Sequence, residues 1–414
     1  MDRVSTHQTN DNAQFFMRQR QVDLNEQQTR IATQRRVVEL RDDPIAAAHG
    51  TRYQSVQTRL ERYSENLEYL RDNYRVQEGY VRSAVDILQH ARELAVRGAN
   101  GTFTRSDRAA MAAEVDQVLE ELVTLANARG PDGNSLFSGT ETRLQPFREI
   151  RGTVPGADRQ VITSVEYLGN VDQRQVQISD IESIPLNSPG NDIFWAERQT
   201  LTSAAPAVDY VVQEAARISL GPATIELSPG DNIYTIMSRI NSAGAGVEAR
   251  LDPVQRSLVL EGSSPAQLWL SDEQGTVLAD LGVIQAGNNN PPDNVDPDAR
   301  VSGGSVFDMM IALRDDLYGD DQLEVGSSAL QGIDNALSHV LGRLGRLGAQ
   351  QARVDVAYRR TEYELPEVVA NESRELDLDM AEAITELQML EYTHRASLGV
   401  AGRVLPQTLL DFLR

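Results

Sequence analysis

Two apolar seams of equal spacing, one toward each end of the chain, dominate the pattern of hydrophobic and polar positions. The first passes through Val56, Leu60, Tyr63, Leu67, Leu70, Tyr74, Gln77, Val81, Ala84, Leu88, Ala91 and Ala95, in steps alternating between four and three residues. The second repeats those steps through Leu330, Ile333, Leu337, Val340, Leu344, Leu347, Gln351, Val354, Tyr358, Thr361, Leu365 and Val368. A period of 3.5 belongs to helices that turn their seam toward a partner helix. The pattern predicts one antiparallel coiled-coil bundle split in sequence, with Leu60, Leu67, Leu70 and Leu88 on one side of the intramolecular seam and Leu337, Leu344, Leu347 and Val354 on the other. At a rise of about 1.5 Å per residue, a helix over 45–97 is roughly 80 Å long, too long to hide its stripe in a compact domain. An elongated, rod-like molecule is expected. Gln77 and Gln351 hold equivalent seam positions, and a buried polar pair there would fix register. Two independent substitutions tolerated by the seam explain them equally well.

Other elements follow from turn and cap chemistry. Residues 1–40 carry a weak seam through Met17, Leu24, Ile31 and Val38. About one apolar contact per turn seldom offsets ordering entropy of roughly 1–2 kcal/mol per residue, so this stretch should stay loose until a partner covers it. Asp43 is placed to cap the long helix, and Pro44 suits its first position because the missing N–H would be unpaired there anyway. A third helix is expected over 107–128, ended by the turn 129–134. Short β-branched runs then predict strands at 161–165 and 176–178. Further on come a strand at 224–227, an N-cap at Asp231, a helix with Ile233, Ile236, Met237 and Ile240 on one face, and strands at 247–251, 257–261 and 267–271. Residues 288–293 read as a linker, and helix resumes over 307–318. Pro366 should kink or break the helix that carries the second seam.

Both ends carry apolar positions in need of a cover. The C-terminal stretch from 376 is amphipathic and finishes in Leu409, Leu410, Asp411, Phe412 and Leu413. Burying each of those apolar side chains is worth roughly 1.5–3 kcal/mol. Leu24, Ile31 and Val38 at one end, with Leu398, Leu405, Leu410, Phe412 and Leu413 at the other, are therefore the candidate assembly residues. The fold class is mainly α with an inserted β-rich, α+β middle. Its expected segments are N-terminal helices (1–144), an inserted outer domain (145–310) and C-terminal helices that pair with the first set (311–414).

Composition narrows function mainly by exclusion. A net charge of −22 offers no basic surface for nucleic acid. With 5% aromatic residues, the chain suits Leu, Val and Ala seams better than a thick globular core. All 39 basic residues are arginine and cysteine is absent, which removes lysine and thiolate chemistry. The five histidines, His7, His49, His90, His339 and His394, show no ligand spacing, and no phosphate loop or nucleophile elbow occurs, so no metal, cofactor or catalytic residue is expected. No stretch suits a cleavable signal peptide or a membrane span.

Several stretches resemble a known family. Residues 41–47 (Arg-Asp-Asp-Pro-Ile-Ala-Ala) and 93–102 are similar to the start and end of the long helix of flagellins and hook-associated proteins. Leu136-Phe137-Ser138-Gly139-Thr140-Glu141-Thr142 with Pro146-Phe147, together with Tyr167-Leu168-Gly169-Asn170, resembles the hook–filament junction branch of that family. Residues 379–385, 396–398 and 409–413 are similar to the family's C-terminal ends. The resemblance implies a structural axial component of the bacterial flagellum, joining hook to filament, exported unfolded by a type III apparatus to an extracellular site. It implies a ring of copies in contact with other hook-associated proteins and flagellin, and an export chaperone on the C-terminal segment. A flagellin that forms the filament itself is the near alternative; a cytoplasmic coiled-coil adaptor is more distant.

Overall fold

The computed structural model describes residues 6–404. Its helices are α1 (Thr6–Thr33), α2 (Pro44–Gly98), α3 (Arg105–Ala126), α4 (Gly190–Ile193), α5 (Ile233–Ser242), α6 (Val277–Asp280), α7 (Val306–Gly319), α8 (Gln322–Glu324), α9 (Leu330–Leu376) and α10 (Met380–Val404). A π-helical turn, Val325–Ala329, leads into α9. The strands are β1 (Phe147–Gly152), β2 (Val161–Tyr167), β3 (Gln175–Gln177), β4 (Ser183–Pro185), β5 (Thr200–Pro206), β6 (Ala216–Leu220), β7 (Ala223–Leu227), β8 (Val247–Leu251), β9 (Ser257–Gly262), β10 (Leu270–Gln274) and β11 (Arg300–Ser302). Long helices thus flank a β-containing middle. The chain divides into two compact units, one made of the stretches up to Glu65 and from Tyr358, the other of Asn66–Ala357. Those divisions fall inside α2 and α9.

In the larger unit, every α2 seam position from Leu67 to Ala95 is buried, Leu67, Leu70 and Leu88 completely. On α9, Val340 and Val354 are fully buried and Leu347 nearly so, whereas Leu337 and Leu344 are half-buried. One core joins α2 (Val81, Leu88, Leu94), α3 (Val115, Leu119), α7 (Phe307, Leu313) and α9 (Ile333, Val340). Arg92 Nε donates to Asp334 Oδ1 at 2.6 Å between α2 and α9. The helix starts follow capping chemistry. Thr104 with Asp107, and Ser305 with Asp308, form reciprocal capping boxes that satisfy first-turn donors and start α3 at Arg105 and α7 at Val306.

The strands form an antiparallel sheet in the order β11-β5-β9-β8, a three-stranded sheet β10-β6-β7, and the ribbons β1-β2 and β3-β4. A second core unites Ile218 and Leu220 of β6, Ile225 and Leu227 of β7, Leu258 and Leu260 of β9 and the α5 face Ile233, Ile236 and Ile240. Three expectations are corrected here. The α5 cap is Asn232, whose side chain accepts from Thr235 N at 3.0 Å. Asp231 instead closes the preceding turn by accepting from Ser228 N and pairs with Arg239. β10 begins at Leu270, not 267, because side chains already engage the backbone before it: Asn191 bonds both Gln267 N and Gln267 O, and Gln199 Oε1 accepts from Leu268 N. The 288–293 stretch is no linker. Asn289 bonds both the N–H and the carbonyl of Asp272, and Asn294 Nδ2 donates to Leu270 O, so the loop is stapled along β10.

In the smaller unit, α1 lies against α10. The expected weak N-terminal seam is helical here. Leu24 is buried, and Gln27 donates from Nε2 to Ala383 O (3.2 Å) and Glu386 Oε2 (3.1 Å). α9 runs unbroken through Pro366 to Leu376, so of the expected kink or break the break does not occur. One lost N–H bond does not end a helix whose neighbouring turns keep theirs.

Candidate assembly surfaces

Two of the stretches that carry the family resemblance, 136–142 and 167–170, meet in space. Phe137 O accepts from Tyr167 Oη (3.0 Å) and from Gly190 N (2.7 Å), while Tyr167 Oη also donates to Asn170 O (2.8 Å). Asn170 Oδ1 accepts from Thr140 N at 2.8 Å, its Nδ2 donates to Thr140 Oγ1, and Asn170 N donates to Ser138 O. Gly139 is required at the centre of this knot. Its φ is +72°, and a Cβ there would lie 2.0 Å from Asn170 Oδ1. Behind it, Phe137, Phe147, Tyr167, Phe194 and Phe307 pack with ring centroids 5.1–5.8 Å apart, edge to face or tilted except for the stacked pair Phe194–Phe307. Burial pushes the Tyr167 hydroxyl well above its ordinary pKa, so it stays a neutral donor. These residues lock the β1-β2 ribbon and the 135–147 turns onto the helical core.

Two ionic clusters, invisible as sequence motifs, hold the same unit. Arg314, wholly buried, donates from Nη1 to Asp116 Oδ1 (3.1 Å) and Ile162 O (2.5 Å), and Asp116 also accepts from Arg159 at 2.8 Å. Near α4, Arg343 pairs with the Asp192 carboxylate while His339 Nε2 lies 2.9 Å from Asp192 O. Burial raises the Asp192 pKa and lowers those of His339 and Arg343. Sequence reasoning missed this convergence of titratable groups in the middle of the chain. Their positions, 192 and 339–346, are too far apart in sequence for any spacing rule to join them. Among the described residues, no group of three or more His, Cys, Asp or Glu could hold a metal, and no helix is long and apolar enough to cross a membrane.

In the smaller unit the Arg41-Asp42-Asp43-Pro44 turn is a double cap. Asp43 Oδ1 accepts from Ile45 N (3.2 Å) and Ala46 N (3.0 Å), and Asp42 Oδ2 accepts from Val38 N (3.1 Å) and Glu39 N (3.0 Å). These backbone donors hold both carboxyl groups below the usual carboxylate range. Arg36 ties the turn to the end of α9, its N donating to Leu376 O and Nη2 to Glu375 O.

The candidate assembly residues divide. Leu24, expected to await a neighbour, is 6% exposed and already covered within this chain; Ile31 is half-buried. Val38 and Leu398 face outward, 39% and 50% exposed. Leu405, Leu410, Phe412 and Leu413 lie outside the described residues. The helices add exposed apolar side chains that the seam pattern did not single out: Phe15, Phe16, Met389, Tyr392 and Val400. Of the intramolecular seam, Leu60 also is buried. Gln77 is buried but bonds Asn73 Oδ1 and Leu186 O, so its partners are a neighbouring turn and a loop carbonyl, not Gln351.

Residues 4–142 match the family described as the bacterial flagellin N-terminal helical region. The chain is 27% identical over 177 residues to flagellar hook-associated protein 3 of Escherichia coli strain K12, a match covering 43% of this chain and 50% of that protein. It thus spans about half the length of that curated relative. With flagellin D of Vibrio anguillarum it shares 24% identity over 344 residues, 81% of this chain and 79% of the other. A crystal structure of flagellar hook associated protein-3 from Legionella pneumophila is similar at a TM-score of 0.47 and 16% identity, covering 78% of this chain and 97% of that one.

Proposed function

We propose that the protein is a structural, non-enzymatic axial component of the bacterial flagellum that joins hook to filament. The supporting observation is the match of residues 4–142 to the flagellin N-terminal helical region together with apolar side chains turned outward near both ends, Phe15 and Phe16 of α1 and Val38 of the turn after it on one side and Met389, Leu398 and Val400 of α10 on the other. Such surface is costly to leave in water and is used when neighbouring copies cover it. In this reading α2 and α9 pair as an antiparallel coiled coil. Each places a seam of the same period beside the other, with Arg92 joined to Asp334 in one unit and Gln54 to Glu372 in the other. Residues 145–310 form an outward domain, copies close into a ring, and neighbouring hook-associated proteins and flagellin sit above and below it. The chain travels unfolded through a type III exporter, its C-terminal segment held by a chaperone. Immunogold labelling of purified hook–basal bodies tests the assignment: a single band at the distal tip of the hook is expected, and its absence overturns it. The similarity to flagellin D along four-fifths of the chain favours a second reading, the filament subunit, which label along the filament would support.

A further inference from the structure

The turn between α2 and α3 holds the one Asn-Gly pair of the chain, Asn100-Gly101, and both residues are exposed. Phe103 N donates to Asn100 O at 3.3 Å and closes the turn. Inside it, Asn100 Oδ1 accepts from Thr102 N and from Thr102 Oγ1, each at 3.1 Å. The first of these bonds closes a ring that contains both the Asn100 amide carbon and the Gly101 nitrogen, so the side chain is folded back toward the backbone of the next residue. The Gly101 N–H itself has no hydrogen bond among the described residues.

These are the parts of an intramolecular acyl transfer. The Gly101 nitrogen is the nucleophile and the Asn100 amide carbon the electrophile, held in one short ring rather than meeting by chance. Two donors on Oδ1 draw electron density from that carbon, and they face the oxygen on which negative charge develops when a nucleophile adds. Hindrance is absent too. A Cβ at Gly101 would meet only the Gln322 side chain, at 3.6 Å, and φ there lies outside the left-handed region, so neither packing nor backbone strain requires glycine. What the missing side chain leaves is an open approach to the nitrogen.

We propose that Asn100-Gly101 is a self-modifying site that consumes only water. The bond from Gly101 N to Asn100 Cγ forms, the Cγ–Nδ2 bond breaks, and ammonia leaves with the proton given up by Gly101 N; the product is a cyclic imide. Water then opens the ring. Addition at Cγ leaves aspartate at 100 in an ordinary chain, and addition at the Asn100 main-chain carbonyl carbon leaves an isoaspartyl link, through which the main chain runs one carbon longer. Either product puts a new carboxylate just beyond the C-terminal end of α2, where the helix carbonyls already concentrate negative charge. The site is independent of the assembly role proposed above.

Because every basic residue is arginine, cleavage after Arg97 and Arg105 frees 98–105 as one peptide for mass spectrometry. In the full-length chain kept folded at mildly alkaline pH, position 100 should gain the mass of aspartate over asparagine ahead of the other asparagines, and at least as fast as in the same chain unfolded in urea. Thr102→Val removes the hydroxyl donor and keeps the N–H; it should slow conversion about two- to tenfold in the folded chain and leave the rate in urea unchanged. Gly101→Ala, which the fold accommodates, should slow conversion in both states. A folded wild type that converts more slowly than the urea-unfolded chain overturns the proposal. So does a Thr102→Val chain that keeps the wild-type circular dichroism and converts at the wild-type rate.

Discussion

At the residue scale the strongest stabilising demands come from groups held away from water. Arg314 is wholly buried against Asp116, itself 1% exposed. Arg314→Leu leaves that carboxylate with Arg159 as its remaining ionic partner and should destabilise the larger unit by about 3 kcal/mol, read as a fall in urea midpoint. Gly139→Ala should cost about 3 kcal/mol, since it adds left-handed strain to a clash with the Asn170 side chain and carbonyl. Asp316 has a pKa pushed up to about 6 by burial and by Glu324, Asp321 and Asp315. A folded-state value above the ordinary 3.8 stabilises the fold below about pH 4, and that contribution is lost as pH rises through about 6. Asp316→Asn should therefore raise stability by about 1 kcal/mol at pH 8, after allowing for solvent screening, and change little at pH 4. Paired thermal melts check the sign.

At the element scale, α2 and α9 carry the same repeat with different consequences. In the larger unit α2 buries every seam position, whereas α9 alternates buried Val340, Leu347 and Val354 with half-buried Leu337 and Leu344. Leu67→Ala should then cost about 3 kcal/mol and Leu337→Ala about half as much, compared by denaturant unfolding. Hydrophobic spacing registers which side chains share a stripe and leaves open how much of each is covered, because coverage depends on what the other elements bring. The 267–271 strand illustrates this: its sequence suits a ladder, but Asn191 and Gln199 take its first backbone groups. At Pro366 the helix is not broken, since α9 continues for ten residues beyond it to Leu376.

At the scale of the whole molecule, the proposed assembly role rests on the match of residues 4–142 to the flagellin N-terminal helical region and on the apolar residues exposed near both ends. Val38→Asp with Leu398→Asp changes two exposed positions, so the far-ultraviolet dichroism and melting of the secreted chain should match the wild type. Incorporation into hook–basal bodies, followed by immunoblot, should fall at least tenfold, because each buried carboxylate adds several kcal/mol to the contact. Leu24→Asp should instead unsettle the α1 and α10 pairing in the monomer itself, since Leu24 is already covered there.

The amino-acid sequence by itself determined the long helices, the strand-bearing middle and the two capping residues at 43 and 44, because periodicity and cap chemistry act over a few residues. Its apolar ends likewise pointed to surfaces in need of a cover. Tertiary structure decided what no local rule can: that the 136–140 and 167–170 stretches interlock through Gly139 and Asn170, that Asp116 neutralises Arg314 from 198 residues away, and that Gln77 answers to Leu186. It also decided that Leu24 is satisfied within the chain while Ile181 is not. Burial is a property of neighbours in space, and those neighbours come from distant parts of the chain.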